Sequence, residues 1–226
     1  MVHFTLFGIP VYIRPSFWVV LAIFGGALSI SSVEDLIYPA LFVIAGFIAI
    51  LSHEMGHALV GRRLGGGQQT IVLELFGGLT SSHGMQLTRG GRALMILAGP
   101  MMTLLLGIIS LWLTWNIVAP VMASHNLDFW DLAISPFTAA LISPKLYILS
   151  CLIMIGEWWT LLNLLPIYPL DGGQLIAQYI RSPRKVFMTG FITAILIGLL
   201  SFQLFHGYFI PIFMALFAYS NYREYK

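Results

Sequence analysis

Apolar positions along this chain gather into long runs instead of alternating with polar ones, at about residues 16–33, 37–61, 92–118, 145–165, 186–205 and 208–222. A membrane-spanning helix needs roughly 20 mostly apolar residues to cross about 30 Å of hydrocarbon. The six runs therefore predict an all-α polytopic membrane protein with about six transmembrane helices. The first run lacks the cationic leader and small-residue cleavage pattern of a signal peptide, and reads as a retained helix. Residues 2–14, VHFTLFGIPVYIR, mix aromatic and β-branched residues around Gly8 and Pro10 and predict a short strand pair at the interface. Residues 69–82, QTIVLELFGGLTSS, read as strand, Gly77-Gly78 turn and strand, a short membrane-associated β-hairpin. Between 119 and 144, Pro120, Pro136 and Pro144 amid polar residues predict a loop.

Composition narrows the class. Hydrophobic residues make up 58% of the 226 positions and charged residues 9%, whereas soluble domains carry about a quarter charged. A soluble fold, a disordered chain and a coiled coil are excluded on that ground. The net charge of +2, with no basic run longer than two residues, gives no footprint for nucleic acid. Cys151 is the single cysteine, so an internal disulfide is excluded. Cations collect on cytoplasmic loops. With six spans and a cytoplasmic start, Arg14, Arg62, Arg63, Arg89, Arg92, Arg181, Arg184, Lys185, Arg223 and Lys226 share one side and Lys145 takes the other. Both termini are expected to be cytoplasmic. With no appended soluble module or long repeat, residues 1–226 read as one membrane domain, and a bare core without an organelle signal suits a prokaryotic plasma membrane.

The chemistry lies in the second run. His53-Glu54-Met55-Gly56-His57 places two imidazoles four residues apart on one helix face, able to bind one metal, with Glu54 beside them facing a water. At 1.5 Å per residue His53 lies about 13 Å from Arg62, well inside the hydrocarbon. Three ionisable groups at that depth need a stabilising partner, because each costs about 2.5–3.5 kcal/mol on insertion scales. A metal supplies one. A catalytic zinc uses three protein ligands and keeps a position for water. Acids and histidines in loops and ends set aside, the candidates for the third ligand are Glu74, His83, Glu157 and Asp171. Asp171 sits in NLLPIYPLDGG (163–173), where Pro166 and Pro169 forbid a continuous helix. Unwound backbone at membrane depth belongs in protein or a wet cavity. Asp171 followed by Gln174 also has the form of a helix N-cap, and the two roles are compatible. Glu157 stands as an acid buried mid-span without an assigned role.

The pair His53–His57 and Asn163–Gly173, with Ala98-Gly99-Pro100 between them, resembles the site-2 protease family of intramembrane zinc metalloproteases over about residues 38–181. The resemblance implies a minimal member without a PDZ or CBS domain. It implies one zinc ion per chain held by His53, His57 and Asp171, with Glu54 as catalytic base. It further implies cleavage within the transmembrane segment of a single-span substrate in the lipid bilayer, with any adaptor undefined. Asn163 is a candidate donor to the developing oxyanion or substrate backbone, although its amide also suits carbonyls freed by Pro166. Leu75 and Phe76 belong to the hairpin whose edge is expected to pair with an unwound substrate. The competing class is a metal transporter or sensor, which usually shows internal repeats. The two halves of this chain are not similar.

Overall fold

The computed structural model describes residues 1–75, 77–84, 86–125 and 128–225, which form two compact units, Met1–Thr160 and Leu161–Lys226.

The first unit opens with β1 (Val2–Leu6) and β2 (Ile9–Ile13), an antiparallel pair. Phe7 and Gly8 between them both have positive φ, 50° and 76°, the backbone of a tight two-residue hairpin turn. Pro15 then starts α1 (Pro15–Phe24), and α2 (Ile37–Gly65) follows after two single-turn helical pieces. Next come β3 (Gln68–Glu74) and β4 (Gly77–His83). β3 pairs in parallel with β2, making one four-stranded sheet in the order β1-β2-β3-β4. The predicted hairpins are thus both present, and they form a single sheet. Strand alternation explains the join. Ile9, Val11 and Ile13 of β2 and Ile71 and Leu73 of β3 put their side chains into one core with Phe17, Ile50, Met55 and Ala58. At α2's end Arg62 donates a 2.7 Å hydrogen bond to the Phe7 carbonyl, and Gly66 turns the chain out of the helix at φ +65°.

Long α3 (Arg89–His125) and α6 (Pro144–Asn163) complete this unit. The expected loop between them is mostly helical: α3 runs on to His125, and α4 (Phe129–Ile134) and α5 (Pro136–Ile142) follow. Polar residues read as loop formers act here as caps. The Asp128 carboxylate accepts from the Trp130 N–H and the Ser135 hydroxyl from the Thr138 N–H.

The second unit takes over in the last turn of α6. It contains α7 (Asp171–Ala177), α8 (Pro183–Phe205) and α9 (Phe209–Tyr225). Ile167, Ala194, Met214 and Ala218 form its buried core.

Four helices among the described residues are long and apolar enough to cross a membrane: Glu34–Gly65, Arg89–Pro120, Pro144–Asn163 and Pro183–Leu204. The protein is a multi-pass membrane protein, but the expected six full spans are not present as six such helices. α1 has 10 residues, about 15 Å. Gly25 and Gly26, the latter at φ +86°, end it. Beyond them the Asp35 carboxylate gathers the N–H groups of Ser31 and Ser32 into a turn. α9, at 17 residues, extends about 25 Å. The segment after Arg14 nonetheless runs antiparallel to α2, with Leu21 packed on Gly46 and Gly25 on Phe42.

Candidate metal centre

Every residue of the His53–His57 motif is buried. One helical turn brings the two imidazoles together edge-on, with centroids 4.7 Å apart and their Nε2 atoms 3.1 Å apart. The His57 Nδ1 lies 2.8 Å from the Met95 carbonyl on α3. A carbonyl only accepts, so Nδ1 carries the hydrogen and Nε2 presents its lone pair. A tetrahedral zinc with Zn–N bonds of about 2.0–2.1 Å separates two ligand nitrogens by roughly 3.3–3.4 Å. The observed pair is already close to that edge and fits a single ion.

Two glycines make this approach possible. A Cβ at Gly56 would overlap the Ala98 carbonyl, and one at Gly99 would overlap the His57 ring and lie 2.8 Å from His53 Nε2. α2 and α3 therefore cross with backbone against backbone and backbone against imidazole, the close contact that small residues permit between membrane helices. Ala98-Gly99-Pro100 thus has a direct steric meaning.

Glu54 points to the hairpin. Its Oε2 accepts a 2.7 Å hydrogen bond from the Thr80 hydroxyl on β4. Gly78, two residues back on the same face of the strand, has no room for a side chain, because Glu54 occupies the space. Neither Thr80 nor Met95 was found from the sequence. Thr80 is 26 residues from Glu54 and looks like any strand threonine, and a main-chain carbonyl carries no sequence signal.

In the second unit Asn163 ends α6 and Asp171 opens α7, and both are buried. Asp171 is not the N-cap. That place belongs to Leu170, whose extended backbone (φ −60°, ψ 160°) precedes the helix and whose carbonyl accepts from the Gln174 N–H. The Gln174 side chain reaches back to the Pro169 carbonyl at 2.9 Å. Gly172 and Gly173 lie against the chain's own preceding turn: Cβ atoms there would overlap the Leu164 and Leu165 carbonyls and the Ile167–Tyr168 backbone. Asn221 on α9 donates 2.6 Å to the Tyr168 carbonyl and 2.9 Å to that of Phe217.

The other candidates fall away. Glu74 is ion-paired with Arg14 at 2.8 Å. His83 is exposed at the last position of β4, and Glu157 is exposed on α6 instead of buried. Leu75 is 44% exposed in the tight turn after β3, and Phe76 lies outside the described residues.

Residues 41–205 match the model of peptidase family M50. The chain belongs to that family. This M50 chain is 27% identical over 227 residues to a zinc metalloprotease of Methanocaldococcus jannaschii, taking in 96% of this chain and 57% of that protein. It is 29% identical over 188 residues to a candidate zinc metalloprotease of Synechocystis, across 78% of this chain and 43% of that one. It thus spans about half the length of these relatives. The solved structure of a site-2 protease from Methanocaldococcus jannaschii shares its fold, with a TM-score of 0.60 at 23% identity, over 100% of this chain and 95% of that one. The site-2 protease resemblance read from the motifs is thereby borne out, and zinc is the metal that this family membership and the paired imidazoles call for.

Proposed function

We propose that this chain is an intramembrane zinc endopeptidase that cuts single-span membrane proteins within their transmembrane segment. The observation that carries the reading is the buried pair of converging imidazole nitrogens, 3.1 Å apart, with the Glu54 carboxylate on the next residue. His53, His57 and Asp171 hold the metal. Asp171 is assigned by its place in the Pro169-Leu170-Asp171-Gly172-Gly173 motif. Its burial, at 6% exposure, supports the assignment, since a buried carboxylate is costly unless a cation offsets it.

Zinc, when bound, polarises a water and the scissile carbonyl. Glu54 takes the water's proton and returns it to the departing amide nitrogen. Asn163, buried at the end of α6, donates to the carbonyl oxygen as negative charge develops there or to the neighbouring substrate backbone. The His57 Nδ1–H bond to Met95 keeps that ring in the ligating tautomer. A helical substrate hides its peptide bonds and must unwind first. The outer edge of β4 has no strand partner among the described residues, and the exposed Leu75 turn leads into it, so strand addition at this edge holds the unwound segment. Residues 38–181 form the catalytic core. The interrupted 15–36 segment crosses beside α2 and α9 supplies the last crossing, which keeps both termini on the cation-rich cytoplasmic side of a prokaryotic plasma membrane.

The test is cleavage of single-span candidates by purified protein in vesicles, with metal content measured alongside. Glu54→Gln is expected to keep zinc and lose cleavage, and Asp171→Ala to lose both. Cleavage that survives Glu54→Gln sinks the mechanism, and metal binding without any cleavage by the wild type favours the transporter or sensor class.

A further inference from the structure

The geometry points to Thr80 as the positioning residue of the general base, a role that rests on the protease reading above. On β4 the side chains alternate, so Gly78 and Thr80 share the face turned to α2. The Glu54 side chain lies along that face. Its Cγ and Cδ fill the space a side chain at Gly78 would take, its Oε1 is 2.6 Å from where that Cβ would stand, and its Oε2 is held at 2.7 Å by the Thr80 hydroxyl. The terminal torsion of a glutamate is broad and nearly two-fold, so α2 by itself leaves the carboxylate plane unfixed. Gly78 below and Thr80 at one oxygen fix it.

Threonine suits the task. Its β-branch stiffens χ1, which fixes the direction of the hydroxyl, and its single proton goes to one carboxylate oxygen. The Glu54 main-chain carbonyl is the poorer alternative at 3.2 Å. A distance of 2.7 Å is that of a well-formed O–H···O hydrogen bond. With Oε2 engaged, Oε1 is the oxygen left to face a water. The angle of the base is therefore set by the sheet as well as by the helix that carries it.

The experiment uses the full zinc-loaded chain and its Thr80→Val and Thr80→Ser variants. The probe is an internally quenched synthetic peptide with one apolar stretch of about 20 residues, reconstituted in vesicles. A second readout is the infrared carboxylate band of Glu54, isolated by subtracting the spectrum of Glu54→Gln. Thr80→Val, equal in shape and lacking the donor, is expected to keep zinc content and unfolding temperature. Its kcat should fall roughly 10- to 100-fold with KM unchanged, and its Glu54 band should shift. Thr80→Ser, which keeps the donor but lacks the β-branch, is expected to restore the band and most of kcat. An unchanged kcat and band in Thr80→Val overturn the proposal, as does an equal loss in Thr80→Ser, which would mark a packing role. A wild type that cleaves nothing sinks the proteolytic reading instead. The band then decides the hydrogen bond alone, and an unshifted band in Thr80→Val overturns it.

Discussion

Replacing Gly99 with alanine drives a methyl group into the metal centre from α3. The new carbon would lie 2.8 Å from His53 Nε2 and nearer still to the His57 ring. Ordinary van der Waals contact begins at 3.4 Å, so His53 must yield by about 0.6 Å, and His57 by more, against a metal–ligand distance tolerance of about 0.2 Å. Neither ring can swing clear without cost, since His57 is tied to Met95 at 2.8 Å and both sit in a packed interior. The helices must part or a ligand must leave. Overpacking of this kind typically costs about 1–3 kcal/mol in stability, and the larger loss is expected in zinc affinity, at least the 10- to 100-fold typical of a disturbed ligand support. Gly107, two turns further along α3, is the control: a Cβ there meets nothing within 4 Å. Gly107→Ala should bind zinc like the wild type and gain up to about 1 kcal/mol from helix propensity. Competition with a chromophoric chelator measures the affinity and thermal unfolding the stability. Gly99→Ala with wild-type zinc affinity would refute the claim that α3 packs against the imidazoles.

Asn221→Leu removes both hydrogen bonds from α9 and leaves the Tyr168 carbonyl without that donor. The expected cost is about 1–3 kcal/mol, read as a lower unfolding temperature. Zinc affinity should fall with it, because Tyr168 lies in the turn that leads into Asp171. Arg14→Ala breaks the ion pair with Glu74, whose side chains are 59% and 37% exposed. Solvent screens such a pair, so stability should change by less than about 1 kcal/mol and cleavage should stay at the wild-type level. A larger drop would show that Arg14 does more than pair on the surface. If β4 receives substrate as a strand, an ester in place of one non-scissile amide of the substrate deletes one donor. KM should then rise roughly 2- to 10-fold without a change in kcat, and an unaltered KM for every ester position would exclude strand pairing.

What the sequence disclosed of the fold tracks the range of the forces involved. The apolar runs of α2, α3, α6 and α8 announced themselves because each helix must satisfy its own backbone in lipid, so the requirement is local and written in consecutive residues. The two hairpins were legible for a similar reason, each being closed by its own turn. Their union was not. The parallel pairing of β2 with β3 joins residue 11 to residue 71 across two helices, and only the shared core of Ile9, Val11, Ile13, Ile71 and Leu73 dictates it. The run from 16 to 33 misled by hydropathy. Gly25-Gly26 and the serines near Asp35 break the helix, and apolar content measures preference for lipid without measuring helical continuity.

The site divides along the same line. His53, Glu54 and His57 are one turn of one helix, so their mutual geometry follows from 3.6 residues per turn, and the motif names the chemistry before any tertiary contact forms. Their restraints come from elsewhere. Met95 fixes a tautomer with a main-chain oxygen, Gly99 contributes by having no side chain, and Thr80 supplies a hydroxyl from a strand. The motif thus sets which reaction is chemically available, while α3 and β4 set the angles at which its groups are held. A chain that keeps His53-Glu54-Met55-Gly56-His57 but fills the space at Gly78 or Gly99 would retain the signature and lose the geometry, because both glycines lie against the side chains that the motif names.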